Sequence, residues 1–235
     1  MNLSVIIPYR ADGGVRTRQL EFQLRRFKQM DSSIEVIVSE DKLKGGAWID
    51  FNKSKLLNQG VERATKDNIL ILDVDVILNK SDIEKALELV NGKSIVLPYN
   101  KINFMSKSDS DRVLNCKPKL DYPYENLHGL VAIKKELDTN GTYFVTKENY
   151  WKAFGHEERY VGWGGEDGSF ISACVTLIDK PYIRLDTHAI HLWHEKTKLV
   201  RQIQGEKREL YTRYLNARYN KEEMLSIIKE RNGKS

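Results

Sequence analysis

The sequence has little cysteine, little proline and no long hydrophobic run. Its two cysteines, Cys116 and Cys174, lie far apart and cannot form a disulfide framework or a zinc site unaided, which favours a reducing compartment. The amino terminus has too short an apolar stretch for a signal peptide, and no run approaches the roughly 20 apolar residues that span a bilayer. We therefore expect a cytoplasmic protein without a membrane anchor of its own, with at most a peripheral contact at the inner membrane face.

The composition is that of a globular domain. Of the 235 residues, 40% are hydrophobic and 30% are charged, enough for one sizeable core. The net charge of +5 suits an anionic partner such as a nucleotide diphosphate or a membrane surface. The charges are interspersed, so most of them also fit an ordinary solvated surface. We expect no nucleic-acid partner.

Hydrophobic patterns alternate between strands and helices, which indicates an α/β fold with ligand sites at the carboxyl ends of the strands. Helices are predicted at Val15–Met30, at Phe51–Ala64 and after Thr146. A further helix is predicted between Ser81, which forms a capping box with Glu84, and Asn91-Gly92, which ends it. Apolar runs predict strands at Leu3–Ile7, Ile34–Val38, Asn68–Leu72, Ser94–Pro98, Thr142–Val145, Tyr182–Leu185 and Ala189–Trp193.

Two stretches read differently from this pattern. The polar segment from Tyr99 to Gly141 predicts a long irregular insert, with a short helix opening at Ser106, and we interpret it as an acceptor-side loop. The basic segment from Leu199 to Ser235 predicts a helical extension, whose last helix starts at Asn220. This divides the chain into a domain over 1–198 and an extension over 199–235, which either packs on the domain or contacts an anionic membrane.

The octapeptide from Val161 to Gly168 combines four glycines and Trp163 with the adjacent acids Glu166 and Asp167. Glycine lets a backbone pass close to a ligand, and an aromatic ring beside carboxylates suits a sugar. The apolar residues that follow have helical spacing, so the acids are expected in the first turn of a buried helix, where negative charge is favoured. The alternative is a glycine turn whose acids only cap that helix.

Two further clusters suit a divalent metal. Asp73-Val74-Asp75 follows an apolar strand, and carboxylates in such a place bind Mg²⁺ or Mn²⁺ together with substrate phosphates. The segment 187–194 holds His188, His191 and His194, and imidazole is a ligand that Mn²⁺ accepts. Surface or capping carboxylates, and a strand whose histidines bond internally, remain the alternatives.

The segment 51–58, Phe-Asn-Lys-Ser-Lys-Leu-Leu-Asn, places an aromatic ring and two lysines at a helix N-terminus, which favours anions. Phe51 is a candidate for stacking on a base, and Lys53 or Lys55 for contacting a phosphate. An amphipathic helix with solvated lysines explains the same residues.

Taken together and in this order, the motifs resemble the beta-1,4-galactosyltransferase family. Its wider relatives are the chondroitin polymerase domains and the polypeptide N-acetylgalactosaminyltransferase catalytic domains. The similarity runs from Val5 to His194 and includes Ile6-Ile7-Pro8-Tyr9-Arg10, the segment 51–58, Asp73-Val74-Asp75, the segment 162–167 and the segment 191–194. It implies a GT-A fold, which is Rossmann-like, with a mixed central sheet and a C-terminal helical extension.

The resemblance also implies roles for individual residues. Asp75 and His194 would bind Mn²⁺ or Mg²⁺, and His191, where the family commonly has methionine, is a further candidate. Trp163, Gly164, Gly165 and Glu166 would hold the acceptor, and Asp167 would be the general base, with Glu166 beside it in the catalytic pair. The UDP-sugar donor would be held by Pro8, Tyr9, Arg10, Glu40, Asp41, Phe51, Lys53 and Asp73.

The activity implied is metal-dependent, inverting transfer of galactose or an N-acetylhexosamine from a UDP-sugar to a hydroxyl of a saccharide or glycoconjugate acceptor. Two alternatives belong to other classes. One is a metal-dependent nucleotidyltransferase or phosphoester hydrolase that uses Asp75 and the histidines. The other is a sugar-nucleotide-binding module without turnover.

Overall fold

The structure is a computed structural model that describes residues 1–41, 51–123, 130–133, 141–162, 164–195 and 205–232. Three features predicted from the sequence lie outside the described residues: Trp163, the start of the C-terminal extension over 199–204, and residues 124–129 and 134–140 of the polar insert.

The described residues form ten strands and eight α-helices. The helices are α1 (Val15–Met30), α2 (Lys53–Arg63), α3 (Lys80–Val90), α4 (Lys107–Asn115), α5 (Lys147–Lys152), α6 (Glu166–Leu177), α7 (Gly205–Asn216) and α8 (Lys221–Lys229), with a short 3-10 turn over Glu230–Asn232. The strands are β1 (Ser4–Tyr9), β2 (Glu35–Glu40), β3 (Asn68–Ile71), β4 (Val76–Leu78), β5 (Val96–Leu97), β6 (Lys101–Phe104), β7 (Leu130–Ile133), β8 (Tyr143–Thr146), β9 (Ile183–Arg184) and β10 (His188–His191).

The larger sheet has six strands in the order β2-β1-β3-β8-β5-β9. Strand β1 runs parallel to β2 and β3, whereas β8 is antiparallel to both β3 and β5. The sheet is therefore mixed, as expected from the sequence. The parallel part brings the carboxyl ends of β1, β2 and β3 to one edge.

A second sheet of four strands, in the order β4-β10-β6-β7, is not predicted from the sequence. Strand β10 pairs antiparallel with β4 and parallel with β6, and β6 pairs antiparallel with β7. The polar segment after Tyr99 was expected to be irregular, and this is wrong for its described part. Besides α4, whose start at Ser106 was expected, it contains β6 and β7, because backbone pairing of β6 with β10 and of β7 with β6 orders short stretches that have weak local signals.

Side chains alternate between the two faces of the larger sheet, which gives one core on each side. On one face, Ile6 and Ile71 pack with α2, α6, α7 and α8. On the other face, Val5 and Leu70 pack with α1 and α3. The sheet is thus the middle layer of three.

Helix boundaries confirm most of the capping signals. Helix α1 has the predicted bounds, and the side chains of Ser106, Thr146 and Asn220 accept hydrogen bonds at the N-termini of α4, α5 and α8. The predicted capping box of Ser81 and Glu84 is wrong, since α3 starts at Lys80 and its N-cap is Asn79, two residues before Ser81. Ser81 donates to Asp121 Oδ1 at 2.9 Å, so a tertiary contact replaces the local cap.

The two C-terminal helices pack on the rest of the domain. Tyr214 of α7 and Met224 of α8 are fully buried in the core that includes Ile6. The buried carboxylate of Glu157 adds a polar tie, because Arg231 Nε and the Tyr214 hydroxyl donate to it at 3.0 and 2.9 Å. Most of the apolar side of α8 therefore faces protein. Among the described residues, no helix is long and apolar enough to cross a membrane.

Candidate active site

The first half of the site forms where the two sheets meet. Asp75 lies between the carboxyl end of β3 and the start of β4, and its side chain is buried. Pairing of β4 with β10 sets His191 opposite Val76, the residue after Asp75. The backbone N–H of Leu192 donates to the carbonyl oxygen of Asp75 at 2.8 Å. The histidine segment and the strand-end aspartate are thereby fixed against each other.

Asp75, His191 and His194 form a cluster whose ligand atoms all lie within 4.8 Å of one another. The Nε2 atoms of His194 and His191 are 3.4 and 3.9 Å from the Asp75 carboxylate oxygens. Each ring has its Nδ1 at 2.9 Å from a backbone carbonyl oxygen, which can only accept, so Nδ1 carries the proton. This leaves both Nε2 lone pairs directed at the same space, the arrangement of metal-ligating histidines. His188 is not a member of this cluster.

The charge state of the cluster also suits a cation. Burial lowers the pKa of His194, so the ring is neutral at pH 7. Burial alone would raise the pKa of Asp75, but His191, Arg16 and His194 together hold it below its ordinary value. One carboxylate and two imidazole rings are a donor set that Mn²⁺ accepts. The three residues therefore fit the metal role that the resemblance implies for them.

The second half of the site is centred on Lys53, the first residue of α2. Its Nζ lies 2.9 Å from Asp73 Oδ1, 3.1 Å from Asp167 Oδ2 and 4.0 Å from Glu166 Oε1. Glu166 and Asp167 occupy the first turn of α6, as expected. Sequence reasoning placed Lys53 on a donor phosphate. In the structure its ammonium group joins the strand-end aspartate to the acid pair.

Burial and mutual repulsion perturb these acids. Burial, followed by the negative charge of Asp167, raises the pKa of Glu166 to about 7. Burial opposes the charge of Lys53, but Asp167, Asp73 and Glu166 outweigh it and raise the pKa of the ammonium group well above its ordinary value. Lys53 therefore stays protonated among the carboxylates.

Two oxygens of the acid pair lack partners. Glu166 Oε2 and Asp167 Oδ1 are buried and accept no hydrogen bond within the described part of the chain. Native proteins leave few buried polar atoms unpaired, and those that remain call for an explanation such as a ligand. Carboxylate oxygens only accept, so the matching ligand offers hydroxyl or amine donors.

Glycine is required next to the acid pair. Gly164 and Gly165 have φ of 97° and 98°, in the region that favours glycine. A Cβ on Gly165 would lie 2.6 Å from Cε1 of the buried Tyr160 ring. The N–H of Gly162 donates to the carbonyl oxygen of Phe51 at 2.9 Å, which holds the loop against the segment that leads into α2.

A third glycine at the site was missed by sequence reasoning. Gly141 has a φ of 64°, and a Cβ there would lie 2.0 Å from Asp73 Oδ2 and 2.9 Å from Lys53 Nζ. A side chain at this position would therefore have to displace the ion pair and adopt a positive φ. The signal that was available is the dipeptide Asn140-Gly141, which is typical of turns.

The residues expected to hold uridine lie at the ends of β1 and β2. The buried Arg10 guanidinium forms an ion pair with Asp41, with Nε at 3.1 Å from Oδ2, and it lies 5.2 Å from the centre of the Phe51 ring. The parallel pairing of β1 with β2 sets Tyr9 opposite Glu40 and Pro8 opposite Ser39. Arg10, Asp41 and Phe51 are thus close together, whereas the Tyr9 hydroxyl bonds to Thr17 of α1 at 2.8 Å.

A buried histidine beneath the acid pair was also missed, and no sequence signal distinguishes it. His156 stacks on Phe170 of α6 with ring centres 4.3 Å apart, and its two ring nitrogens bond to the hydroxyls of Tyr143 and Tyr150 at 2.5 and 2.8 Å. Burial lowers its pKa well below the ordinary value, so the ring is neutral. This network holds α6, and with it the acid pair, against β8.

Comparison with known proteins supplies the fold. No family model matches this sequence, and no curated protein sequence matches it either. Among solved structures, the catalytic domain of Drosophila beta1,4-galactosyltransferase 7, in complex with xylobiose, is similar over 89% of this chain and 79% of its own, with a TM-score of 0.56 and 16% identity. A mutant of that enzyme in complex with manganese, UDP-Gal and xylobiose aligns equally well, with a TM-score of 0.56. S. aureus TarS is similar over 98% of this chain and 42% of its own, with a TM-score of 0.58 and 14% identity.

The chain has the GT-A glycosyltransferase fold. The fold expected from the five motifs is therefore confirmed. In this GT-A fold the strand-end aspartates, the histidine segment and the α6 acid pair come to the carboxyl edge of the parallel strands, where α/β proteins bind their ligands.

Proposed function

We propose that this chain is a metal-dependent inverting glycosyltransferase that moves galactose or an N-acetylhexosamine from a UDP-sugar to a hydroxyl of a saccharide or glycoconjugate acceptor. The observation that carries the proposal is the link through Lys53. It joins Asp73, two residues from the Asp75–His191–His194 cluster, to the acid pair of α6. A site for a metal-bound donor and a site for an acceptor hydroxyl are thereby adjacent.

The donor half is assigned to the ends of β1, β2 and β3. Phe51 and Arg10 would hold the uracil and ribose, with Asp41 fixing the guanidinium. Asp75 and His194, with His191, would hold Mn²⁺ or Mg²⁺, which offsets the charge of the diphosphate. The mutant of the Drosophila enzyme that aligns with this chain was solved with manganese and UDP-Gal, which supports this donor class.

The acceptor half is assigned to α6 and the glycine loop before it. The unpaired oxygens of Glu166 and Asp167 would accept hydrogen bonds from acceptor hydroxyls. Asp167 would take the proton from the attacking hydroxyl as that oxygen bonds to the anomeric carbon and UDP leaves from the opposite face. Trp163 would lie against the sugar ring. The xylobiose bound by the Drosophila enzyme supports a saccharide acceptor.

The test of the activity is a UDP-release screen of sugar nucleotides with Mn²⁺, with and without candidate saccharides. Release that depends on both metal and acceptor supports the proposal. Phosphate or pyrophosphate release without a sugar acceptor would instead favour a phosphoester hydrolase or nucleotidyltransferase. Tight UDP binding without turnover on any donor would favour a binding module.

The test of the base assignment is a matched pair of neighbouring variants. Asp167→Asn should keep UDP and Mn²⁺ binding but lower kcat by at least ~10², because an amide cannot accept the proton. Glu166→Gln should mainly raise the KM for the acceptor, since its proposed task is to hold hydroxyls. If Glu166→Gln loses kcat while Asp167→Asn retains it, the base is Glu166. If neither variant affects transfer, the proposed mechanism is wrong.

A further inference from the structure

A cleft of about 490 Å³ lies between α2 and α5, and its lining includes none of the residues of the candidate active site. This volume is within the range of small-molecule sites. Its walls come from two exposed helix faces and from the loop that leads to the glycine segment. The lining residues are Asn58, Gln59 and Glu62 of α2, Lys147 and Trp151 of α5, and Glu158.

Helical spacing explains why these side chains face one another. Asn58 and Glu62 are four residues apart on α2, and Lys147 and Trp151 are four residues apart on α5. Residues with this spacing share one face of a helix. The two faces form opposite walls, and the indole ring of Trp151, at 41% exposure, is the large apolar surface between them.

The floor of the cleft is held rigidly. Asn58 Oδ1 accepts hydrogen bonds from the Tyr150 hydroxyl at 2.7 Å and from the backbone N–H of His156 at 2.8 Å. Asn58 Nδ2 donates to Glu158 Oε1 at 2.8 Å. The Trp151 ring stands edge-on to the buried Tyr150 ring at 5.0 Å between centres. A preformed wall of this kind lowers the entropy lost on binding.

Gly155 lets the chain pass directly beneath this floor. Its φ is 62°, and a Cβ there would lie 2.7 Å from Asn58 Oδ1 and 3.1 Å from the Trp151 ring. The backbone therefore closes against both walls of the cleft at a position where only glycine fits.

The chemistry of the lining points to a neutral sugar. An indole face suits the apolar face of a pyranose, and the side chains of Gln59 and Glu62 form no hydrogen bond within the described residues, so they are available to hydroxyls. The ammonium group of Lys147 already donates to the carbonyl oxygens of Glu62 and Ala64, at 3.2 and 2.6 Å. Two carboxylates against one engaged ammonium group disfavour phosphates and acidic sugars.

We propose that the cleft between α2 and α5 is a second saccharide-binding site, which takes a neutral oligosaccharide with a sugar ring against Trp151. The cleft shares no lining residue with the candidate active site, and saccharide binding there needs neither metal nor UDP.

The experiment measures binding of neutral oligosaccharides to the full chain by saturation-transfer NMR and titration, in EDTA and without nucleotide. The probes are cellohexaose, xylohexaose and chitohexaose, with an oligogalacturonate as the acidic comparison. Trp151→Ala should weaken binding on the order of tenfold, which corresponds to ~1.4 kcal/mol. Trp151→Phe should retain most of the affinity because it keeps an aromatic face. Tyr219→Ala removes a surface aromatic that is 72% exposed and lies elsewhere, and should leave binding unchanged.

Unfolding temperatures of all variants establish that they are folded, so that a loss is specific to the ring. Binding that survives Trp151→Ala, binding of the acidic probe alone, or no binding of any neutral probe overturns the proposal. Because no turnover is measured, these outcomes are independent of whether the UDP-release screen finds an activity.

Discussion

The buried carboxyl group of Glu166 predicts a pH-dependent stability that a single substitution isolates. Its pKa in the folded protein is about 7, against an ordinary value of 4.5, because burial and the charge of Asp167 disfavour ionisation. A group whose pKa rises on folding stabilises the protein below its unfolded pKa, and this contribution is lost as the pH rises through the folded value. The loss for Glu166 falls between about pH 4.5 and pH 7.

The size of the effect follows from the two pKa values. A rise from 4.5 to about 7 corresponds to roughly 3 kcal/mol, as an upper bound, of destabilisation once Glu166 is fully ionised. Glu166→Gln has nearly the same shape and cannot ionise. The variant should therefore gain stability relative to the wild type as the pH rises from 5 to 8, by up to ~3 kcal/mol.

The assay is urea unfolding, followed by tryptophan fluorescence at pH 5, 6, 7 and 8, with EDTA present. Only the difference between variant and wild type is informative, since burial also raises the pKa of Asp73, to about 6, so that Asp73 titrates in the same pH range. Glu62→Gln on the surface of α2 is the matched control, because it removes one exposed carboxylate without altering the buried site. A difference between Glu166→Gln and wild type that stays constant from pH 5 to 8 would refute the reasoning.

Three further predictions follow from the geometry. In calorimetry, Asp75→Ala should abolish Mn²⁺-dependent UDP binding and His194→Ala should weaken it, whereas His188→Ala should have a smaller effect. Equal losses of affinity for the two histidine variants would contradict the ligand assignment. Gly141→Ala should destabilise the chain by roughly 1–3 kcal/mol, since it forces Asp73 and Lys53 apart at a positive φ, and an unchanged unfolding temperature would show that the ion pair yields at little cost. In liposome sedimentation at low salt the chain should stay with the supernatant, because most of the apolar side of α8 is buried; binding to anionic vesicles would establish the membrane alternative.

Local patterns predicted the elements that carry most of the site. The apolar run before Asp73 predicted a strand with Asp73 just beyond its carboxyl end. The structure has this strand as β3, which ends at Ile71. The glycines and apolar spacing around Glu166 fixed the first turn of α6. These signals succeed because a buried strand and a capped helix are determined by residues close together in sequence.

What the sequence could not show are the contacts made over long separations. Strand β10 meets β4 across more than 100 residues, and only that pairing sets His191 beside Asp75. Lys53 was interpreted as a phosphate contact because a helix N-terminus favours anions. Its partners within the chain are Asp73, after the end of β3, and the acids of α6, and no local pattern in segment 51–58 indicates either of them. The failed cap at Ser81 has the same cause, because Asp121 offers a tertiary partner.

The position of Lys53 connects these observations to the proposed chemistry. Asp73, Glu166 and Asp167 would repel one another in a buried space, and a single ammonium group cannot neutralise all three. The structure meets this excess in two ways: Lys53 stays charged beside Asp73 and Asp167, and Glu166 retains its proton to near pH 7. The two neighbouring acids therefore differ in environment: Asp167 lies 3.1 Å from the Lys53 ammonium group, whereas Glu166 lies 4.0 Å from it and has a pKa raised to about 7. Such a separation is how a pair of carboxylates takes different tasks in one reaction, and it is what the variants of Asp167 and Glu166 would resolve.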